Sequence, residues 1–155
     1  MNRWLALALV AIAAGLALCG CGGDSSASST ASAELPPVGG PAAVHTVELR
    51  RGPLMVNASG FAVYTFSKDR GGKSACYGKC AEAWRPLLSA GTPKAGGHVA
   101  AADLGTTERA DQTTQATYDG HPLYELAGND RVDTPVDDGA TAFGGQWHAV
   151  FVPKG

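Results

Sequence analysis

Residues 64–84 read YTFSKDRGGKSACYGKCAEAW, and the rest of the chain is best understood outward from this stretch. It opens with alternating aromatic residues typical of a β-strand, continues through a polar, glycine-containing loop, and ends in a Cys-x3-Cys segment and a tryptophan. A weaker copy of its first half, YELAGND, occupies residues 124–130. This repetition predicts a chain built from two related structural units.

The two copies align when they are offset by sixty residues. Each has a glycine, a tyrosine four positions later and an apolar residue two positions after that. These residues are Gly60, Tyr64 and Phe66 in the first copy and Gly120, Tyr124 and Leu126 in the second. Glycine allows the positive φ of a tight turn, and tyrosine buries its ring while its hydroxyl stays at the rim. The pattern is typical of a repeated hairpin.

Period-two alternation predicts a mainly β domain. The expected strands are 45–51, 53–56, 61–66, 113–118, 121–127 and 146–153. We expect 53–56 to form a hairpin with 61–66. We also expect 113–118 to form one with 121–127 through Asp119-Gly120, a strong type I′ turn signal. Pro122 favours an edge position, because proline has no backbone N–H to donate.

One short helix is predicted at residues 75–84, where good helix formers precede Pro86. The expected architecture is therefore two tandem hairpin-based repeats, about 44–102 and 103–155. They would pack as one sandwich-like or barrel-like domain, with a disulfide-tied helix between them.

Residues 1–21 have the pattern of a lipoprotein signal peptide. Arg3 is followed by an apolar run of fourteen residues, shorter than the ~20 that a membrane-spanning helix needs. Leu18-Cys19-Gly20-Cys21 resembles the bacterial lipobox, which predicts that Cys21 carries the lipid anchor. Cleavage without lipid attachment is the alternative. Residues 22–43, rich in Ser, Ala, Gly and Pro, are predicted to be a flexible tether.

The net charge of −2 does not favour nucleic-acid binding, which requires a basic footprint. Residues 44–102 carry 8 basic and 3 acidic side chains, whereas residues 103–155 carry 3 basic and 9 acidic ones. The two halves could attract each other, the acidic half could face a partner, or both could simply be solvated.

Cys76 and Cys80 are the two cysteines beyond the lipobox. In an oxidising envelope compartment, such a close pair predicts a disulfide. A redox-active pair is the alternative, although thioredoxin-like motifs use the shorter Cys-x-x-Cys spacing within a βαβ unit.

None of the four histidines lies near these cysteines in sequence, so no zinc-finger or haem-attachment spacing exists. His121 and His148 could approach them in the fold, which leaves copper or haem handling open. The acidic loop 130–138 lacks the ligand order of a calcium-binding EF-hand. Asp69, Asp111 and Glu125 could act as acid and base only if the fold paired them. We therefore predict no catalytic residue, no metal site and no cofactor.

Tyr64-Thr65-Phe66-Ser67-Lys68-Asp69 resembles the Tyr-x-aromatic-x-x-Asp signature of the secreted-repeat family of bacterial lipoproteins. Residues 74–84, 114–124 and 144–147 resemble its other conserved segments. The second copy departs from the signature, with Leu126 at the aromatic position and Asn129 at the acidic one. The resemblance implies a lipid-anchored extracytoplasmic domain of no established activity. Its family-motif residues would be Tyr64, Phe66, Asp69, Trp84, Tyr124 and Trp147.

These observations together favour a non-enzymatic binding or interaction module, displayed on the cell envelope by its N-terminal lipid. Its partner would be an unknown envelope protein or small ligand. The alternative is a redox or metal-handling accessory that uses the Cys76 and Cys80 region.

Overall fold

The computed structural model describes residues 40–154, and this part of the chain is mainly β. The strands are β1 (Ala43–Leu49), β2 (Gly52–Asn57), β3 (Val63–Phe66), β4 (Trp84–Pro86), β5 (Lys94–Ala95), β6 (Leu104–Glu108), β7 (Thr114–Tyr118), β8 (His121–Pro122), β9 (Tyr124–Leu126), β10 (Thr141–Ala142) and β11 (Gly145–Ala149). One helix, α1 (Lys79–Ala83), and a 3-10 turn (Ala101–Asp103) complete the elements within residues 40–154. The predicted fold class is confirmed.

The central sheet has five strands in the order β10-β11-β3-β9-β4. At its middle, β3 and β9 run antiparallel, with Tyr64 directly opposite Tyr124. The signature tyrosines of the two repeats therefore face each other across the centre of the sheet. Two smaller sheets, β2-β1-β5 and β6-β7-β8, flank the central one, and each contains the opening hairpin of one repeat.

The closing strands of the two repeats are exchanged. β4 belongs to the first repeat but pairs with β9 of the second, where Trp84 lies opposite Leu126. β11 belongs to the second repeat but pairs with β3 of the first, where Trp147 lies opposite Phe66. Trp84 and Trp147 thus occupy equivalent positions, and each repeat supplies the strand that the other lacks.

The predicted hairpin between 53–56 and 61–66 is wrong. β2 pairs along its length with β1, and only an isolated bridge joins Val56 to Ala62. β3 is buried on both faces, so it takes a central position that needs a partner on each side. β9 and β11 provide those partners. In the second repeat the predicted turn is present, with φ of 47° at Asp119 and 73° at Gly120.

The helix is shorter than predicted and begins at Lys79, because Gly78 has a φ of 56° that lies outside the helical region. Trp84, expected on the helix, instead opens β4. The predicted Cys76–Cys80 disulfide is present, with a Cα–Cα distance of 5.2 Å. It links Cys76, in the loop before α1, to Cys80, the second residue of the helix.

Two apolar clusters lie on the opposite faces of the central sheet. Tyr64 and Tyr124 point into one cluster, whereas Val63 and Leu123 point into the other. Alternation along β3 and β9 produces this division, because successive side chains of a strand face opposite ways.

Residues 40–43, which the sequence assigned to the tether, are part of the folded domain. The Gly40 carbonyl accepts the Ala90 N–H at 3.1 Å, and the Ala42 N–H donates to Ser89 Oγ at 2.8 Å. The predicted signal peptide, the lipid site at Cys21 and most of the tether lie outside the described residues. Within residues 40–154, no helix is long and apolar enough to span a membrane.

Candidate binding site

The family-motif aromatic residues meet in one buried stack. Trp147 lies between Phe66, at a centroid distance of 4.1 Å, and Trp84, at 4.2 Å. Tyr64 meets Trp84 edge-on at 5.1 Å, and Tyr124 meets Trp147 edge-on at the same distance. Aromatic pairs of this geometry contribute about 0.5–1.5 kcal/mol each beyond burial. The motif therefore holds the two repeats together.

Each tyrosine hydroxyl is bound by the loop of the other repeat. Tyr124 of the second repeat donates to Asp69 Oδ2 of the first at 2.9 Å, and its oxygen lies 2.8 Å from Ser74 Oγ. Tyr64 of the first repeat donates to the Val136 carbonyl of the second. Burial raises the pKa of both tyrosines, and nearby aspartates raise it further. Both hydroxyls therefore stay protonated at neutral pH and act as donors.

A buried guanidinium lies beside the Tyr124 hydroxyl. Arg109 donates to Gln115 Oε1 at 2.7 Å, to Ser74 Oγ at 2.8 Å, to the Cys76 carbonyl at 2.9 Å and to Asp111 Oδ2 at 3.2 Å. It also lies 4.5 Å from the centre of the Tyr77 ring. Such a fully engaged network fixes the loop that carries the disulfide relative to the second repeat.

Asp69 forms part of this network. Burial raises the pKa of its carboxyl, while the Ala75 N–H and the Tyr124 hydroxyl oppose that rise by donating to the charged form. Asp69 and Asp111 therefore both approach the Arg109 network, but Glu125 does not. Glu125 follows Tyr124 on β9 and points to the opposite face of the sheet.

The disulfide is packed inside the aromatic cluster. Cys76 is fully buried and Cys80 is 7% exposed. The sulfur of Cys76 lies 3.9 Å from the Trp84 carbonyl oxygen. The bridge thus positions the start of β4, the strand that the first repeat contributes to the second.

An open groove of about 1100 Å³ lies on the other face of the sheet. Its walls come from residues 40–43, the turn at 57–61, and the segments 85–90, 112–114 and 125–129. Most of the lining is apolar, including Phe61, Leu88 and Leu126. Leu88 is 43% exposed, which is high for a leucine beside a packed core. The groove therefore offers an apolar surface to a ligand.

Glu125 carries the carboxylate of this groove. Asn57 Nδ2 donates to Glu125 Oε1 at 2.7 Å, and Asn57 Oδ1 accepts the N–H groups of Ser59 and Phe61. Burial raises the pKa of the Glu125 carboxyl, whereas Asn57 and the charge of Arg85 oppose this rise. Arg85 lies opposite Glu125 in the β4–β9 register. Within residues 40–154, neither Arg85 nor any other cation forms an ion pair with Glu125.

Residues 45–88 match a family model described as a secreted repeat of unknown function. This segment is similar to that secreted repeat. The match confirms the resemblance found in the sequence, and the description indicates an extracellular or envelope location. No curated protein and no solved structure matches the chain.

The matched secreted repeat supplies one wall of the groove. Asn57, Arg85 and Leu88 fall within the match, whereas Glu125 and Asn129 come from the second half of the chain. The groove therefore forms where the matched segment meets the rest of the domain.

The remaining predicted residues lie apart from the groove. His98 Nε2 lies 3.0 Å from Glu48 Oε1. His121 lies close enough to Asp69 to oppose, as the smallest of several causes, the rise that burial gives to the pKa of its carboxyl. Asp138, in the acidic loop considered for calcium, accepts the Ala149 N–H at 2.9 Å and pairs with Arg51. In the part of the chain that the structure describes, no three His, Cys, Asp or Glu side chains are grouped to hold a metal ion.

Sequence reasoning missed Arg109, Gln115 and the pairing of Asn57 with Glu125. Arg109 stands in a run of mostly polar residues that resembles any solvated segment. Asn57 stands in the run Asn57-Ala58-Ser59-Gly60, which is typical of a turn. Its partner is 68 positions away in the chain, a separation that local patterns do not report.

Proposed function

We propose that the protein is a non-enzymatic binding module, held at the extracytoplasmic surface of a membrane by a lipid on Cys21, and that the open groove receives its ligand. The observation that carries this proposal is the groove itself, a concave and mainly apolar surface next to a rigid core. Sites for ligands are typically concave and mostly apolar, with a few placed polar groups. Glu125, Asn57 and Asn129 are such groups.

The buried ionisable residues support binding rather than catalysis. Tyr124 donates to Asp69, and Ser74 contacts both Tyr124 and Arg109. These polar atoms are therefore engaged in joining the two repeats. A redox role for Cys76 and Cys80 is less well supported, because reactive cysteines sit in partially exposed positions and this pair is buried.

Site-specific photo-crosslinking in intact cells tests the groove. A photoreactive amino acid at Leu88 reports on the groove, and one at Val132, which is 52% exposed and lies outside it, is the matched control. We expect a discrete adduct from position 88 only. Equal labelling at both positions, or none at 88, would contradict the proposal.

The anchor has a separate test. Cys21→Ser removes the thiol to which the lipid would be attached. We expect the variant to move from the membrane fraction to the soluble envelope fraction, because a stable anchor requires two or more acyl chains. Cys19→Ser is the control and should leave the protein on the membrane. Membrane retention of Cys21→Ser would rule out this anchor.

A further inference from the structure

We infer that the groove binds an extended peptide segment whose Lys or Arg side chain pairs with Glu125. This inference rests on the proposed function, since it names the ligand class of the same groove. Two independent observations support it: a carboxylate without an ion-pair partner, and the size and apolar lining of the groove.

The first observation is the charge of Glu125. Its Oε1 receives a hydrogen bond from the neutral amide of Asn57, and no cation within residues 40–154 forms an ion pair with it. A half-buried carboxylate without a cationic partner costs free energy. The raised pKa of Glu125, caused first by burial, is consistent with that cost. A ligand ammonium or guanidinium would supply the missing charge.

The second observation is the size and lining of the groove. Its volume of about 1100 Å³ is above the ~300–1,000 Å³ typical of pockets for drug-sized molecules. It is also open to solvent. Phe61 and Leu88 line the same groove as Glu125 and offer apolar contacts. A short peptide with apolar residues next to the cation matches this arrangement.

Two peptides that differ in one charge test the inference on the full chain. Acetyl-Ser-Leu-Lys-Leu-Ser-amide carries the cation, and its twin with norleucine in place of lysine keeps the apolar surface. Isothermal titration calorimetry should show the lysine peptide binding about tenfold tighter. Glu125→Gln keeps an acceptor for Asn57 and should abolish this preference without changing the affinity for the norleucine peptide. Arg85→Gln removes a competing cation and should strengthen binding of the lysine peptide.

The contrary outcomes separate the inference from the proposed function. If both peptides bind equally and Leu88→Asp weakens both, the groove is a binding site and the cation inference is overturned. If spermidine displaces the lysine peptide at equal affinity, the ligand is an amine rather than a peptide, and the inference also fails. If neither peptide binds, the inference fails, and the crosslinking at Leu88 then decides whether the groove binds anything.

Discussion

The two repeats place the same tyrosine in the same strand but satisfy its hydroxyl differently. Tyr124 donates to the half-buried carboxylate of Asp69, next to the Arg109 network and the disulfide. Tyr64 donates to a backbone carbonyl, that of Val136. We call the acceptor of each tyrosine hydroxyl its cap. The cap of Tyr124 is a charged side chain, whereas the cap of Tyr64 is a main-chain carbonyl. The Tyr124 hydrogen bond is therefore sensitive to substitution of Asp69. The Tyr64 hydrogen bond does not use Asn129, the residue at the position equivalent to Asp69, and Asn129 lines the groove instead.

The opposite face of the sheet shows a matching difference. In the strand pair β3–β11, the outward positions hold Thr65 and His148. In the equivalent pair β9–β4, they hold Glu125 and Arg85. The repeated backbone thus presents a threonine and a histidine in one strand pair and an acidic and a basic side chain in the other. The difference in these side chains gives the groove its own chemistry.

The largest expected effect comes from removing the shared stack. Trp147→Ala and Trp84→Ala should each cost about 3–5 kcal/mol of unfolding free energy, because each indole is buried against both repeats. Urea denaturation followed by circular dichroism should show one cooperative transition for both variants. Phe143→Ala, at a 45% exposed side chain, is the control and should have little effect. Two separate transitions would show that the repeats fold independently.

The next effect separates the two tyrosine caps. Tyr124→Phe removes a hydrogen bond to a charged group and should cost about 1.5–3 kcal/mol. Tyr64→Phe removes a bond to a neutral carbonyl and should cost about 0.5–1.5 kcal/mol. Both are measured by denaturant titration at neutral pH. Equal losses would remove the energetic distinction between the caps.

The disulfide is present in the first repeat only, and a double Cys76→Ser, Cys80→Ser variant measures its contribution. Closing so short a loop should contribute about 2 kcal/mol through the unfolded chain. The expected loss is therefore of this order, with binding at the groove unchanged. Loss of binding with unchanged stability would instead indicate a role in function.

The smallest effect concerns Glu125, whose pKa is raised above its unfolded value mainly by burial. Its contribution to stability is present below the unfolded pKa and is lost as the pH rises through the folded pKa. Glu125→Gln should therefore melt at a higher temperature than the native protein at pH 7, by about 2–5 °C. The difference should shrink near pH 4. A lower melting temperature at pH 7 would show that the charge is already compensated in the free protein.

The local features of the fold could be predicted from the sequence. Strands β1 to β3, β7 to β9 and β11 follow from alternation, the Asp119-Gly120 turn from its need for positive φ, and the disulfide from two cysteines in an oxidising compartment. Strands β4 to β6 and β10 were not predicted. The exchange of closing strands could not be predicted. Trp84 and Trp147 each begin an alternating segment that fits beside either repeat, and periodicity does not report which partner is chosen. The aromatic core was therefore named residue by residue, but its assembly was not.

The groove could not be predicted for the same reason. Asn57 and Glu125 meet only because the turn of the first repeat reaches the ninth strand. Arg109 was likewise not predicted, since a buried arginine is rare and its partners Ser74, Cys76 and Gln115 come from two separate segments of the chain. Sites built from distant segments are read from the fold rather than from a motif.

The exchanged closing strands have a consequence for assembly. A chain with a single copy of this unit would leave β3 with one open side, and the missing strand would be found only in a second molecule. Such a chain would form a symmetric dimer whose stability depends on its concentration. Joining two copies in one polypeptide makes the same contact intramolecular, so the assembled state no longer depends on dilution. A protein facing the outside of the cell gains from that independence, because its surroundings do not hold its concentration constant.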